Sequence, residues 1–209
     1  MKKILLADDH QLIRTGLKLL LESELGEITF GEAENANGVF KKMKESEWDL
    51  LILDVNMPGR SGMDVLKQLK DTKNTTPVLV LSLHSEEHLG VRALKSGACG
   101  YISKDAIGTE LIKAVNTVMN GKKYITAYIA EQLIEQINNP ADKEPHELLS
   151  DREFQTLMYI ATGQKISIIA QALSLSVATI STYRARIMEK MGMKTNADLI
   201  NYSIHRGLI

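Results

Sequence analysis

Cysteine is nearly absent from this chain: Cys99 is the only one, so no internal disulfide can form and no CxxC metal site exists. That usage fits a reducing cytoplasm, and thiol redox chemistry is not expected. No apolar run reaches the ~18 residues of a membrane span, and the stretch Ile4 to Ala7 behind Met1, Lys2 and Lys3 is too short for the core of a secretion signal. A cytoplasmic location without membrane contact is expected. Net charge is also nearly absent, at −1 near neutral pH, so bulk charge does not by itself call for a nucleic-acid partner.

What is present is ordinary globular composition, with 209 residues, 44% hydrophobic and 24% charged, enough for one or two compact domains. Short apolar runs occur at Ile4–Ala7, Ile28–Phe30, Leu50–Leu53, Val78–Leu81 and Cys99–Ile102. Each is too short for a helix and lacks polar alternation, the pattern of a buried parallel strand. Between and after them lie stripes of helical period: Leu12/Ile13/Leu17/Leu20/Leu21, Val39/Phe40/Met43, Met63/Leu66/Leu69, Leu89/Val91/Leu94 and Ile107/Leu111/Val115/Val118. Five β/α units with right-handed crossovers predict an α/β flavodoxin-like (βα)5 domain, strand order 2-1-3-4-5, with a site at the carboxyl ends of the strands.

After Asn120–Lys123 a further stripe, Tyr128/Ile129/Leu133/Ile134/Ile137, predicts a connecting helix. Asn138 to Pro145, with two prolines among charged and amide residues, reads as a linker. No strand signal follows, and four helices are expected at about 151–162, 165–173, 177–191 and 195–206. Ile168, Ile169 and Leu173 mark the inner face of the second, Ser174-Leu175-Ser176 turns the chain, and Ser176 is the expected N-cap of the third. This end is locally basic, with Lys165, Arg184, Arg186, Lys190, Lys194 and Arg206 against Glu189 and Asp198 after Gly163. Two short helices joined by a tight turn, the second basic, suit a helix-turn-helix; a plain bundle with a solvated basic face gives the same pattern.

A census of the strand ends is more specific. The first strand runs into Asp8-Asp9, the third into Asp54, the fourth into Ser82, and the fifth is followed by Lys104. Clustered carboxylates need a proton or a cation, and Mg²⁺ favours oxygen donors of this kind. With that charge offset, one Asp can attack a phosphoryl group while the ammonium and the hydroxyl stabilise its oxygens, giving an acyl phosphate. Singly each residue is an ordinary cap or surface charge; the joint pattern at four strand ends points to chemistry. His84, His88 and His10 are read as solvated, the methionines as core filler, and Trp48 as partial packing.

Residues 2 to about 120 resemble the receiver domains of two-component response regulators, through Leu5-Leu6-Ala7-Asp8-Asp9-His10, Leu51-Ile52-Leu53-Asp54-Val55-Asn56-Met57-Pro58-Gly59 and Gly97-Ala98-Cys99-Gly100-Tyr101-Ile102-Ser103-Lys104. The resemblance implies that Asp54 is the phosphoacceptor, that Asp8, Asp9, Asp54 and the Asn56 carbonyl hold Mg²⁺, and that Lys104 binds the phosphoryl group. It implies that Ser82 is the switch hydroxyl and Tyr101 the aromatic whose rotamer follows it. The movement then alters the surface around the fourth helix and fifth strand or uncovers the recognition helix. Asp105 stands where many relatives have proline.

Residues from about Leu149 to Ile209 resemble the LuxR-type helix-turn-helix, through Leu149-Ser150-Asp151-Arg152-Glu153, Ile160-Ala161-Thr162-Gly163, Ile169-Ala170, Leu175-Ser176, Thr179-Ile180, Ile187-Met188-Glu189-Lys190-Met191 and Ala197-Asp198-Leu199-Ile200. Together the two resemblances point to the NarL/FixJ class, partnered by a sensor histidine kinase and by double-stranded DNA. The expected division is a receiver over 1–120, a connecting helix and linker over 121–148, and a DNA-binding domain over 149–209. Ile168, Ser181 and Tyr183 depart from the residues common there. DNA contacts are expected from Lys165, Thr179, Ser181, Thr182, Arg184, Arg186 and Lys190, with Ser181 and Thr182 near base edges and Lys165, Arg186 and Lys190 on phosphates. Ala197, Leu199, Ile200 and Ile204 are the expected dimer face, matching inverted half-sites. A hydrolase with Asp54 as nucleophile would resemble a DxD pattern, and Asp54-Val55-Asn56 lacks the second acid. A phosphate-independent adaptor or RNA-binding regulator is the other alternative, for which the departures at Ser181 and Tyr183 speak.

Overall fold

Burial of whole strands organises the first half of the chain. In the computed structural model, which describes residues 2–82, 86–138 and 144–209, every residue of β3 (Leu50–Asp54) and β4 (Val78–Ser82) is buried. Strands covered on both faces belong at the centre of a parallel sheet. The sheet order is β2-β1-β3-β4-β5, all parallel, with β1 at Lys2–Ala7, β2 at Ile28–Ala33 and β5 at Gly100–Ser103. This is the expected topology; the strands themselves include their polar last residues Asp54 and Ser82.

Alternate side chains point to opposite faces. Ile4, Leu6, Leu50, Ile52, Leu79, Leu81 and Ile102 pack with Leu17 and Leu21 of α1 (Gln11–Leu25) and Leu111, Ala114, Val115 and Val118 of α5 (Ile107–Met119). On the other face lie α2 (Ala36–Glu45), α3 (Gly62–Asp71) and α4 (Glu86–Lys95), which bring Val39, Met63, Leu66 and Leu89 into the core. Each such side chain contributes about 1.5–3 kcal/mol when buried. The buried face of α1 is Arg14, Leu17 and Leu21, whereas Leu12, counted in its apolar stripe, is 83% exposed.

The chain separates into two compact units, Met1–Ile134 and Glu135–Ile209. The first continues past residue 120, because Tyr124 bridges to Gly100 at the outer edge of β5 and Ile129 of α6 (Ala127–Asn138) is fully buried. The linker expected at Asn138 to Pro145 falls largely outside the described residues.

The second unit holds α7 (Asp151–Ala161), α8 (Ile166–Ala172), α9 (Val177–Met191) and α10 (Asn196–His205). Its helices start where side chains satisfy the first amides: Ser150 with Glu153 and Thr195 with Asp198 form capping boxes, and Ser176 accepts from the Thr179 amide, as expected for the third helix. Phe154, Leu157, Ile169, Leu173, Ile180, Ile187 and Leu199 make the core. Ile168 was expected on the inner face of its helix but is 47% exposed; the buried pair there is Ile169 and Ala170.

Trp48, the only tryptophan, lies over Gly31 of β2 and donates from its indole to the Lys42 carbonyl at 3.0 Å. A Cβ at Gly31 would lie 2.2 Å from the indole ring. Gly31→Ala is therefore expected to destabilise the first unit by about 1–3 kcal/mol through overpacking. Denaturant unfolding followed by Trp48 fluorescence measures this, and the smaller ring of Trp48→Phe should return much of the loss when unfolding is followed by circular dichroism.

Candidate functional site

Lys104 draws three strand ends together. Its ammonium donates to Asp8 Oδ2 at 2.6 Å and to Asp54 Oδ2 at 2.9 Å. All three side chains are almost out of water, at 6% for Lys104, 3% for Asp8 and 1% for Asp54. Asp8 follows β1, Asp54 ends β3 and Lys104 follows β5. Asp54 Oδ1 also accepts the Asn56 amide at 3.1 Å. Gly62 opens α3 so close to this strand end that a Cβ there would sit 2.1 Å from the Asp54 carbonyl oxygen, so the loop after β3 closes tightly only with glycine at that place.

Asp9 and His10 complete the cluster. Ligand atoms of Asp8, Asp9, His10 and Asp54 all lie within 4.8 Å of one another. His10 Nδ1 is 2.8 Å from Asp9 Oδ1 and 3.2 Å from Asp8 Oδ1. The sequence reading set His10 aside, and the signal that would have included it is its adjacency to the paired acids. Burial pushes the Asp54 carboxyl above its ordinary range; Lys104 opposes that shift and Asp8 adds to it. Burial alone would depress the Lys104 ammonium, but the charges of Asp54 and Asp8 outweigh it and hold the ammonium above its ordinary value. Two unit charges 4.8 Å apart repel by about 3.5 kcal/mol at an effective dielectric of ~20. One ammonium cannot offset three carboxylates, and the remaining oxygens form a donor set that suits a hard divalent ion.

Ser82 and Tyr101 are fully buried. Tyr101 lies opposite Val80 in the β4–β5 register, so it shares a sheet face with Ser82 two residues on. The Lys104–Asp105 peptide is not cis, and Ser103 caps the short 3-10 turn Lys104–Ala106. His84 lies outside the described residues, as does the side chain of His88.

Arg14 escaped the sequence reading altogether. It is 4% exposed and donates to the Asp8 carbonyl at 2.6 Å, to Glu32 at 2.7 Å and to Glu34 at 3.0 Å. The available signal was an arginine at the position that sets the helical period of Leu17 and Leu21 on α1.

In the second unit α8 and α9 meet at 109°, within the range of a helix-turn-helix. Lys165, Ser181, Thr182 and Arg186 are exposed, and Thr179 is half-buried beside Ser176. The hydroxyls of Ser181 and Thr182 donate to the carbonyls of Val177 and Ala178, one turn back. Arg184 and Lys190 have internal partners: Arg184 Nε donates to Asn196 Oδ1 at 2.6 Å, and Lys190 Nζ to Glu153 Oε2 at 2.5 Å. Of the expected dimer face on α10, Ala197 and Ile204 are exposed and Ile200 is half-buried. Leu199 is a correction, since it is fully buried on the inward side of α10 together with Ser203 and cannot meet a partner. Among the described residues no single helix is long and apolar enough to cross a membrane.

Comparison with known proteins finds two family matches, the response regulator receiver domain over residues 4–116 and the LuxR family of bacterial regulatory proteins over residues 147–203. The response regulator UvrY of Escherichia coli K12 is 32% identical over 209 residues, 100% of this chain and 96% of that protein. The response regulator GacA of Pseudomonas protegens is 32% identical over 209 residues, 100% of this chain and 98% of that protein. Among solved structures, RcsB from Salmonella enterica serovar Typhimurium bound to promoter rprA in the presence of phosphomimetic BeF3⁻ is similar, with a TM-score of 0.63 and 25% identity over 97% of this chain and 98% of that one. RcsB bound to promoter P1flhDC gives a TM-score of 0.64 at 25% identity over 96% and 97%.

The Lys190–Glu153 pair joins α9 to the first turn of α7, and Glu153 is only 4% exposed. Burial raises the Glu153 carboxyl, but the hydrogen bonds from Lys190 and Ser150 prevail and hold it below its ordinary range. Lys190→Met is expected to cost the second unit about 1 kcal/mol, low in the range for charged hydrogen bonds because Lys190 itself is 39% exposed. A carboxyl with a lowered folded pKa stabilises above its unfolded value and loses that contribution as pH falls through the folded one. The deficit should therefore be full at neutral pH and shrink below the carboxylate range, which thermal unfolding at pH 7 and pH 3 compares.

Proposed function

This chain belongs to the response regulators that join a receiver domain to a LuxR-type DNA-binding domain, the NarL/FixJ class, and from that premise we propose that it is a transcription factor switched by phosphorylation of Asp54. The observation that carries the proposal is the Lys104 bridge between Asp8 and Asp54, which puts an ammonium beside the buried carboxylate at the carboxyl end of the sheet.

The donor is a phosphohistidine of a sensor histidine kinase. An ionised Asp54 oxygen attacks phosphorus, the phosphorus–nitrogen bond breaks, and its electron pair remains on the imidazole nitrogen, which takes up a proton. Lys104 opposes the effect of burial on Asp54, favouring the carboxylate that attacks, and then turns to the oxygens of the transferred group. Receiver domains generally bind Mg²⁺ at such a pocket, and the carboxylate oxygens of Asp8, Asp9 and Asp54 with the Asn56 carbonyl are the donors that would hold it here. When bound, the ion neutralises the charge that the carboxylates and the phosphoryl group share. The Ser82 hydroxyl follows the new group and Tyr101 follows Ser82, which biases the surface around α4 and β5.

The output is DNA binding by the α8–α9 pair, supported by the promoter complexes of RcsB. Ser181 and Thr182 face base edges, Thr179 and Arg184 lie at the margin of that contact, and Lys165, Arg186 and Lys190 serve phosphates, Lys190 after leaving Glu153. A homodimer through Ala197, Ile200 and Ile204 of α10 matches inverted half-sites. The chain works in the cytoplasm and turns over no substrate. Its functional parts are the receiver at 1–120, the connecting helix and linker at 121–148, and the DNA-binding domain at 149–209.

With Mg²⁺ and a small phosphodonor, the protein is expected to gain one acid-stable, hydroxylamine-labile phosphoryl group. Asp54→Asn should gain none, and equal labelling of that variant would sink the assignment. Arg186→Ala should weaken binding to all DNA sequences alike and lower the salt-dependence slope by about one unit. Thr182→Ala should instead change preference at one base pair by roughly 1–3 kcal/mol with the slope nearly unchanged. Affinities measured across a salt series on matched and single-substituted sites separate these outcomes.

A further inference from the structure

Arg14 is a charged group in a place where the helical period calls for an apolar one. Removing a guanidinium from water is costly unless every arm is matched, and here they are. Nε and one terminal nitrogen donate to Glu32 and Glu34, at the end of β2 and just beyond it, and the other terminal nitrogen donates to the Asp8 carbonyl. Lys18, one turn along α1, holds Glu32 from the other side. Two corners of a rigid planar fork fixed by carboxylates leave the third corner no freedom. The Asp8 amide is meanwhile tied to the Ala33 carbonyl at 3.1 Å. Both backbone polar groups of Asp8 are thus fixed by α1 and β2, outside the acidic cluster itself.

We propose that Arg14 is a positioning residue: its hydrogen bond to the Asp8 carbonyl fixes the backbone from which the Asp8 and Asp9 carboxylates project, and so sets the affinity of the pocket for a divalent cation. The inference rests on the reading of that pocket as a cation and phosphoryl site. It deepens the reading by adding a residue that touches neither the ion nor Asp54. Groups that orient metal ligands from behind typically change metal affinity 10–100-fold when removed.

Charge and position make opposite predictions, which gives the test its force. As a nearby cation Arg14 repels Mg²⁺, so its removal by through-space charge alone would tighten binding. As a positioning group its removal loosens binding. Arg14→Met deletes both charge and fork and keeps an apolar stem; Arg14→Lys keeps the charge and loses the fork. The experiment is a titration of the full chain with Mg²⁺ alone, followed by NMR through the backbone amides of Asp9, His10 and Asn56, for the unsubstituted protein, both Arg14 variants and Gly31→Ala. Gly31→Ala reports what general loss of stability does while every Arg14 hydrogen-bonding group is kept.

Both Arg14 variants are expected to bind Mg²⁺ at least 10-fold more weakly, with the Asp9 and His10 amides already displaced before any ion is added, while Gly31→Ala binds normally. Phosphodonor labelling of Asp54 should recover at saturating Mg²⁺, which a misfolded fraction would not allow. Tighter or unchanged binding by Arg14→Met, or normal binding by Arg14→Lys, overturns the proposal. If Arg14→Met does not fold, Arg14→Lys decides alone. An unsubstituted protein whose amides do not respond to Mg²⁺ would instead remove the pocket reading underneath.

Discussion

Two carboxylates that are almost wholly removed from water share one ammonium, and this balance governs the first unit. Lys104 opposes the upward push of burial on Asp54, and the charges of Asp54 and Asp8 hold Lys104 protonated at 6% exposure. The three residues are distant in sequence and adjacent only because β1, β3 and β5 run parallel and end together. The sheet is therefore the instrument that makes the charges meet, and its fully buried central strands supply the apolar area that offsets the cost of desolvating them.

The surroundings of that balance are tuned to hold still. Gly62 lets α3 close over the Asp54 backbone, the Asn56 amide fixes one Asp54 oxygen, and Arg14 fixes the Asp8 carbonyl. A polar cluster of this kind acts as a unit, since one ammonium joins its two carboxylates. The second unit shows a weaker version of the same logic. Its basic helix carries one set of exposed residues, including Arg186, and another already engaged within the fold, Arg184 with Asn196 and Lys190 with Glu153.

Periodicity made the fold legible. Five short apolar runs alternating with helical stripes gave the topology, and polar residues at the strand ends marked the pocket, because in a parallel sheet the ends of separated strands converge. The family signatures singled out Asp54, Ser82, Tyr101 and Lys104, of which the fold brings Asp54 and Lys104 to 2.9 Å. Failures occurred where one apolar residue can face either way. Ile168 and Leu12 point outward and Leu199 points inward, and nothing in a run such as Ile168-Ile169 or Leu199-Ile200 says which member the packing selects. Arg14 was invisible for a related reason: a buried arginine is recognisable only from its partners at and just beyond the end of β2, Glu32 and Glu34, which lie 18 and 20 residues away in sequence.

The bridge between Gly100 and Tyr124 carries a consequence for how copies of this chain can associate. A parallel sheet has two edges, and each is a row of unsatisfied amides and carbonyls able to recruit a strand from another molecule. At the β5 edge the chain itself occupies part of that row before α6 begins. Strand-to-strand growth is thus discouraged on that side. Two-fold pairing through a helical face, by contrast, ends after one partner has bound and does not propagate into a fibre.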